Sequence, residues 1–193
     1  FLMEDATHAM GATINNRKVG TFGDAAIFAF TPTKVLTTGE GGMLVTNDSD
    51  LANYARLYSY YGSGLGKTNF ENLGRHMMMP EISAILGIYQ LKRIEEFIAK
   101  RNQIAKIYDG AFDQTGYFST VKCLSGSRSS YYKYPLILGP KIDKASFVKS
   151  LNNSAIETGS VFYPPCHMQP VYRKQKVKGL PLPIAEETLA RTI

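Results

Sequence analysis

Short apolar stretches, separated by loops rich in glycine and threonine, dominate the first part of the chain. Ala25 to Phe30 is a continuous apolar run, which is typical of a buried parallel strand. Phe1 to Glu4 has the pattern of a strand end, and Met43 to Thr46 has that of a second short strand. Asn47 to Asp50 carries side chains that cap helices, which predicts a helix over residues 50–59. This order of elements favours an α/β fold.

The longest periodic segment covers residues 80–112, where apolar side chains recur at helical spacings. Pro80 suits the start of a helix, and Glu81 suits its first turn. We therefore predict a helix here that is long enough to connect two lobes.

Shorter elements follow in the remainder of the chain. Tyr131 to Leu138 has a strand-like pattern, and a helix is predicted over residues 143–152 behind an Asp143 cap. Ile156 to Phe162 indicates another strand. Glu186 to Ile193 has the pattern of a helix that is cut off in progress.

These elements predict three parts. Residues 1–79 are the C-terminal part of a large α/β domain, residues 80–113 are a linking helix, and residues 114–193 belong to a smaller α+β domain. Because the chain starts at Phe1 within a predicted strand and stops within a predicted helix, we expect it to be truncated at both ends.

Composition and charge narrow the possible functions. The chain is 44% hydrophobic and 20% charged, as in ordinary soluble globular proteins. It has no apolar run of about 18 residues and no signal-peptide pattern, so we expect no membrane contact. Its net charge of +6 comes from scattered lysines and arginines, apart from Arg173 to Lys178. That short run is more typical of a solvated loop than of a nucleic-acid site. A basic chain also suits an anionic substrate such as a nucleotide sugar.

Cysteine and histidine usage argues against a disulfide framework and a metal centre. Cys123 and Cys166 are the two cysteines, so a reducing cytoplasm is the expected location. His8, His76 and His167 lie far apart in the sequence and show no metal-ligand spacing. We expect no metal.

Lys34 is the first candidate for chemistry, because it lies in the loop after the apolar strand Ala25 to Phe30. In open α/β sheets, ligands bind beyond the carboxyl ends of strands. A lysine in such a partly dry position presents a nucleophilic amine for attack on a carbonyl carbon. Taken alone, a lysine in a turn is more often an ordinary surface residue.

Asp5 strengthens the interpretation of Lys34, because it also follows a strand end. A buried carboxylate needs a cationic or hydrogen-bonding partner, and a protonated pyridine nitrogen is one. That pairing favours the electron-withdrawing form of pyridoxal phosphate (PLP). As spacing alone the signal is moderate, since an aspartate at a strand end also serves as a helix cap.

Four blocks of the chain closely resemble the DegT/StrS-type sugar aminotransferases, which are PLP enzymes of the aspartate-aminotransferase fold, or fold type I. The blocks are EDATHAMGA, VGTFGDAAIFAFTPTKVLTTGEGGMLVTND, LGRHMMMPEISAILGIYQLKRIEEFIAKRNQIAKIYD and VFYPPCHMQPVY. The resemblance covers nearly the whole chain. It implies a mostly parallel sheet with helices on both faces and a smaller C-terminal α+β domain.

The resemblance also implies roles for residues that match the family's motifs. Lys34 matches the lysine that holds PLP as a Schiff base and moves the proton in each half-reaction. Asp5 matches the partner of the pyridinium nitrogen, and His8 matches a position that contacts the cofactor's ring hydroxyl. His167 matches a residue that borders the substrate pocket, and we include Tyr163 in the same predicted substrate site.

Departures from the family pattern concern the cofactor's phosphate and the amino donor. Many members carry serine where this chain has Ala29, so Thr31 and Thr33 are the candidates to supply the missing hydrogen bond to the phosphate. His76 stands where members carry an asparagine that reaches the neighbouring subunit's cofactor phosphate, and Met78 replaces an arginine that helps to hold the donor or substrate. None of these changes affects Lys34.

The activity that the resemblance implies is transamination, from an amino-acid donor such as glutamate to a nucleotide-linked keto sugar. Such reactions belong to the biosynthesis of polysaccharide or antibiotic sugars. The alternatives are a regulatory homologue that keeps the fold without catalysis, and a PLP-dependent sugar dehydratase. Dehydratases of the family carry histidine in place of the lysine, so Lys34 argues against that alternative.

The resemblance further implies a homodimer with composite active sites. Residues 61–80 are the segment that we predict to reach the partner subunit, and Met77 to Met79 are flexible apolar residues suited to such a contact.

Overall fold

The computed structural model describes residues 1–63, 68–70, 72–159, 163–174 and 181–193. The chain forms two compact units. The first unit contains Phe1–Ile104 and Cys123–Tyr132, and the second contains Ala105–Lys122 and Lys133–Ile193. The three-part division at residues 79 and 113 stays a prediction about the whole protein.

Along the described residues, five strands are followed by three α-helices, then by three more strands and three more α-helices. The strands are β1 (Met3–Asp5), β2 (Thr13–Ile14), β3 (Arg17–Lys18), β4 (Ala25–Ala29), β5 (Gly42–Thr46), β6 (Phe118–Thr120), β7 (Ser127–Arg128) and β8 (Leu136–Leu138). The helices are α1 (Ser49–Ser59), α2 (Glu81–Lys92), α3 (Ile94–Phe112), α4 (Lys144–Asn153), α5 (Pro170–Lys174) and α6 (Pro183–Arg191).

A three-stranded sheet in the order β1-β4-β5 organises the first unit. Strand β4 pairs in parallel with β1, and Asp5 lies opposite Ile27. On its other side β4 pairs antiparallel with β5, where Ala29 lies opposite Gly42. The apolar run predicted as a buried strand is thus the central strand, which explains why Ala25, Ala26 and Phe30 are buried.

Glu4 joins strand β1 to the loop before β4. Its carboxylate accepts hydrogen bonds from the backbone N–H groups of Gly20 and Gly23, each at 2.8 Å, and also from Phe22. Partial burial opposes ionisation, but these hydrogen bonds and the charge of Arg17 outweigh it and lower the pKa of Glu4. These hydrogen bonds fix the loop of residues 20–23, which leads the chain back into the sheet at β4.

A second small sheet brings a distant segment of the chain into the first unit. Its strand order is β3-β2-β7, with both pairs antiparallel. Because Thr13 lies opposite Arg128, residues 123–132 belong to the first unit although their neighbours on both sides belong to the second. Arg128 also pairs with Glu95 at 2.7 Å.

The prediction of a single helix over residues 80–112 was wrong, because the segment forms α2 and α3 with Arg93 between them. The Arg93 backbone leaves the helical region, with φ −106° and ψ 2°, and its N–H donates to the carbonyl of Gln90. Apolar spacing continues through this break, so the pattern could not reveal it. Ile98 and Ala105 of α3 are buried, whereas Ile82 of α2 is 79% exposed.

In the second unit, β6 and β8 form an antiparallel pair. The predicted helix behind Asp143 is confirmed as α4, and the Asp143 carboxylate accepts the Ser146 N–H at 2.8 Å. The predicted strand from Tyr131 is confirmed only for Leu136–Leu138, since Tyr131 has a φ of +45°, which is incompatible with a strand.

The end of the chain also differs from its prediction. Helix α6 stops at Arg191, whereas the pattern predicted a helix running through Ile193. The backbone of Ile193 instead exchanges two hydrogen bonds of 3.0 Å with Leu136, the first residue of β8. Ile156 lies outside any strand, and Val161 and Phe162 fall outside the described residues. Within the described ranges, no helix combines the length and apolar character of a membrane span.

Candidate active site

Adjacent parallel strands bring the two principal candidates to one edge of the first unit's sheet. Asp5 is the last residue of β1, and Lys34 lies in the loop that follows β4. Because the two strands run in parallel, their carboxyl ends meet at the same edge, where ligands bind in open α/β sheets. The charge of Lys34 contributes to the low pKa of Asp5, so the two groups lie within electrostatic range of each other.

The loop that carries Lys34 is anchored on both sides. The Lys34 N–H donates to the Thr31 carbonyl at 3.1 Å, which makes a tight turn. The Thr38 N–H donates to the Phe30 carbonyl at 2.9 Å, and the Thr37 N–H donates to Gln90 Oε1 at 3.1 Å. Val35 is buried, whereas Lys34 is half-buried. The amine is therefore held at the sheet edge by a loop whose backbone is fixed.

Asp5 presents an ionised carboxylate at this edge. Hydrogen bonds from the Thr7 hydroxyl and from the Thr7 N–H, the latter at 3.1 Å, are the main cause of its lowered pKa. The charges of His8 and Lys34 lower the pKa further. The Asp5 side chain is exposed in this chain, so its carboxylate is accessible to a cationic partner.

Tyr132 contacts three of the predicted site residues, namely His8, Thr33 and Lys34. Its ring stacks on His8, with ring centroids 4.4 Å apart and an interplanar angle of 29°. Its hydroxyl lies 3.0 Å from Thr33 Oγ1, and its ring centroid lies 4.5 Å from Lys34 Nζ. His8, Thr33 and Lys34 thus surround Tyr132 at the edge of the first unit's sheet where Asp5 ends β1, and their contacts with a cofactor stay predictions.

Sequence reasoning missed Tyr132 as part of this site. The strand-like pattern from Tyr131 to Leu138 favoured tyrosines that pack within a sheet over tyrosines that bind a ligand, but residues 131–135 form no strand. Thr33 and Tyr132 are 99 positions apart, so no local spacing could have connected them.

The other residues predicted to bind the cofactor lie in different surroundings. Thr31 is half-buried and fixes Lys34 through its carbonyl. His76 pairs through its backbone with Tyr60, and its ring lies 5.1 Å from that of Tyr61. Met78 Sδ lies 4.0 Å from the hydroxyl of Ser59. Contacts of Thr31, Thr33 and His76 with a phosphate stay predictions.

His167 and Tyr163, predicted to border the substrate, lie in the second unit. His167 Nε2 lies 2.8 Å from Glu186 Oε1. Tyr163 is exposed, with the Lys144 ammonium 5.6 Å from its ring centroid. Their contact with a substrate stays a prediction.

The pairing of Glu186 predicts a pH effect on the stability of the second unit. The hydrogen bond with His167 and then the N–H of Leu182 lower the pKa of Glu186. A carboxyl with a lowered pKa stabilises the fold above its ordinary pKa, and this contribution disappears as the pH falls through the lowered value. We expect Glu186→Gln to flatten the fall in unfolding temperature between about pH 5 and pH 3.

The matched control for this experiment is Glu187→Gln, which removes the neighbouring carboxylate that pairs with Arg191 at 3.1 Å. Thermal unfolding followed by circular dichroism at a series of pH values measures both variants. Equal pH profiles for Glu186→Gln and the parent protein would contradict the assigned pairing.

Comparison with known proteins shows which family and fold the chain is similar to. A transaminase of Campylobacter jejuni, named for UDP-4-amino-4,6-dideoxy-N-acetyl-β-L-altrosamine, is 34% identical over 178 residues, which cover 90% of this chain and 47% of that protein. The structure of Helicobacter pylori PseC, an aminotransferase of pseudoaminic acid biosynthesis, matches with a TM-score of 0.90 and 31% identity. That match covers 98% of this chain and 52% of PseC.

A structure of DesI, described as determined in the presence of its TDP-sugar product, matches with a TM-score of 0.87 and 27% identity over 99% of this chain and 49% of DesI. The chain therefore spans about half the length of the curated relatives that it matches. These likenesses confirm the predicted fold, that of the PLP-dependent aminotransferases of fold type I. The model of the DegT/DnrJ/EryC1/StrS aminotransferase family matches residues 1–193, and the chain belongs to that family.

Proposed function

We propose that the protein is a PLP-dependent aminotransferase that transfers an amino group from glutamate to a nucleotide-linked keto sugar. The observation that carries this proposal is the placement of Asp5 and Lys34 at one edge of the sheet, at and after the carboxyl ends of the adjacent parallel strands β1 and β4. Family membership supports the reaction class. The relatives named for UDP-linked and TDP-linked sugars support the substrate class.

The residues at this edge have the chemistry that PLP requires. Asp5 is ionised and accessible, so it can pair with a protonated pyridine nitrogen. Lys34 offers a primary amine for covalent attachment to the cofactor's aldehyde. Thr31 and Thr33 supply hydroxyl groups in the same loop, and they are the proposed partners of the phosphate in place of the serine that Ala29 replaces.

In the proposed reaction, Lys34 both anchors the cofactor and moves a proton. When bound, PLP supplies an electron sink that stabilises negative charge on the adjacent carbon. The Lys34 amine, once free, takes a proton from the donor's carbon and returns it at the next step as a general acid. Asp5 would supply the negative charge that pairs with the protonated pyridine nitrogen, and the anchored loop from Phe30 to Thr38 holds the Lys34 amine at the edge of the sheet.

Absorbance spectroscopy of the protein expressed from its natural reading frame tests this function. With PLP added, we expect a visible band that borohydride removes, and peptide mapping should then find the label on Lys34. Glutamate should abolish the band before reduction. A band trapped on Lys34 that no amino acid changes would instead favour a regulatory homologue without catalysis, the alternative that Ala29, His76 and Met78 keep open. A label on another lysine would contradict the proposal.

We also propose a cytoplasmic homodimer, as the family resemblance implies. Support comes from helix α2, whose apolar residues Ile82, Ile85 and Ile88 are each more than half exposed in this chain. An α-helix that is apolar on all sides is normally covered. Residues 61–80, of which 64–67 and 71 fall outside the described residues, remain the proposed contact with the partner's cofactor.

A further inference from the structure

Tyr132 places its aromatic ring against the Lys34 amine at the sheet edge. The Lys34 ammonium lies over the face of the tyrosine ring, 4.5 Å from its centroid. A cation over an aromatic face is attracted by the negative charge density of the ring. The opposite end of the same ring is fixed, because its hydroxyl lies 3.0 Å from Oγ1 of Thr33, which precedes Lys34 in the chain.

A dedicated set of contacts holds the Tyr132 segment in the first unit. Arg101 Nη1 donates to the Tyr131 carbonyl at 2.8 Å, and Asn102 Nδ2 donates to the Ser129 carbonyl at 2.9 Å. Ser130 is only 2% exposed, and its hydroxyl donates to the His8 carbonyl at 3.4 Å. The backbone on which Tyr132 stands is thus tied both to helix α3 and to the loop after β1.

The same ring also positions His8. The two rings stack with centroids 4.4 Å apart, so Tyr132 connects the loop after β1 with the loop after β4. The first of these loops begins directly after Asp5, the last residue of β1, and the second carries Lys34. A single side chain therefore spans both halves of the candidate site.

We propose that Tyr132 is a positioning residue for Lys34, whose ring face holds the amine in place and covers one side of it, while Thr33 fixes the ring. This role rests on the proposed function of Lys34, because it acts through that residue. The arrangement restricts the flexible lysine side chain before any ligand arrives. Such restriction lowers the cost of bringing a reacting group into position.

The experiment compares the reactivity of two lysines within one sample. The PLP-free protein from the natural reading frame is treated briefly with a limiting amount of acetic anhydride, and mass spectrometry gives the ratio of acetylated Lys34 to acetylated Lys92. Lys92 is a matched reference, because its ammonium also lies near a tyrosine ring, 5.2 Å from the centroid of Tyr89. No PLP, donor or sugar is present, so failure of the proposed function does not alter the result.

Four substitutions separate the effect of the Tyr132 ring from that of its hydroxyl and from a nonspecific effect of replacing a tyrosine elsewhere in the protein. We expect Tyr132→Leu to raise the Lys34 to Lys92 ratio about three- to tenfold, in line with the strength of a cation–π contact. Tyr132→Phe keeps the ring and should stay within about twofold of the parent. Thr33→Val removes the anchor of the ring and should give an intermediate rise. Tyr117→Leu makes the same change at an exposed tyrosine of the second unit and should have no effect.

Two results would overturn the positioning role. One is an unchanged ratio in Tyr132→Leu. The other is an equal rise in Tyr132→Phe and Tyr132→Leu, because the ring is still present in Tyr132→Phe and its face would then have no effect on Lys34. If Tyr132→Leu fails to fold, Thr33→Val decides the question, because Thr33 is exposed and its replacement leaves the packing of the segment intact. An unchanged ratio in that variant would then overturn the proposal.

Discussion

Replacing Lys34 with alanine is expected to eliminate covalent PLP attachment and to slow the glutamate half-reaction at least about 10³-fold. General acid–base catalysis by a placed side chain contributes about 10²–10⁴-fold, and the anchoring of the cofactor is lost in addition. The rate of the glutamate-dependent change in the PLP spectrum measures this effect. Borohydride trapping with peptide mapping measures the attachment.

Lys34→Arg and Lys92→Ala are the controls for this prediction. Arginine keeps a cation that can lie over the Tyr132 ring, but its guanidinium cannot replace the amine as nucleophile or proton carrier. Lys34→Arg should therefore be as inactive as Lys34→Ala while preserving the local packing. Lys92→Ala removes an exposed lysine of α2 and should leave the rate unchanged. A Lys34→Ala protein that retains more than about a tenth of the parent rate would contradict the assignment.

Replacing Asp5 with asparagine is expected to lower the rate of the same half-reaction about 10²–10³-fold, the usual effect of removing one prearranged electrostatic group. The substitution is conservative in shape, since the amide oxygen can still accept the Thr7 N–H that now donates to Asp5 Oδ1 at 3.1 Å. Only the negative charge is lost, and with it the pairing that keeps the pyridine nitrogen protonated.

The retention of PLP distinguishes this role of Asp5 from a purely structural one. Because the proposed attachment of PLP to Lys34 does not need the Asp5 charge, Asp5→Asn should keep the visible band and the borohydride label while losing rate. Asp50→Asn, which removes a carboxylate from the first turn of α1, is the matched control and should leave both unchanged. A rate within about twofold of the parent in Asp5→Asn would contradict the electrostatic role.

Local chemistry explains why several features of the chain were predictable. The Asp143 cap and the helix behind it depend on residues within one turn, so the sequence pattern contains the full information. The apolar run of β4 signals a strand that is covered by neighbours on both sides. Asp5 ends β1 and Lys34 lies in the loop after β4, and the parallel pairing of those strands is enough to bring them to one edge.

Features that depend on distant parts of the chain were not predictable in the same way. Arg93 interrupts the helical segment through its backbone conformation, while the apolar spacing runs on unchanged. The left-handed backbone of Tyr131 prevents the strand that its side-chain pattern suggested. Helix α6 ends at Arg191, and the backbone of Ile193 forms hydrogen bonds with that of Leu136, which lies far away in the sequence.

The sequence by itself thus determined the family and the order of most elements, because contiguous motifs carry both. It also predicted Asp5 and Lys34 as the candidate pair, since each lies in such a motif. Only the tertiary structure decided that Tyr132 lies between Lys34 and His8. The physical reason is that this position results from the pairing of β7 with β2 and from the hydrogen bonds of Arg101 and Asn102. Contacts between residues so far apart in the chain leave no periodic signal in the sequence, and they form only when the unit folds.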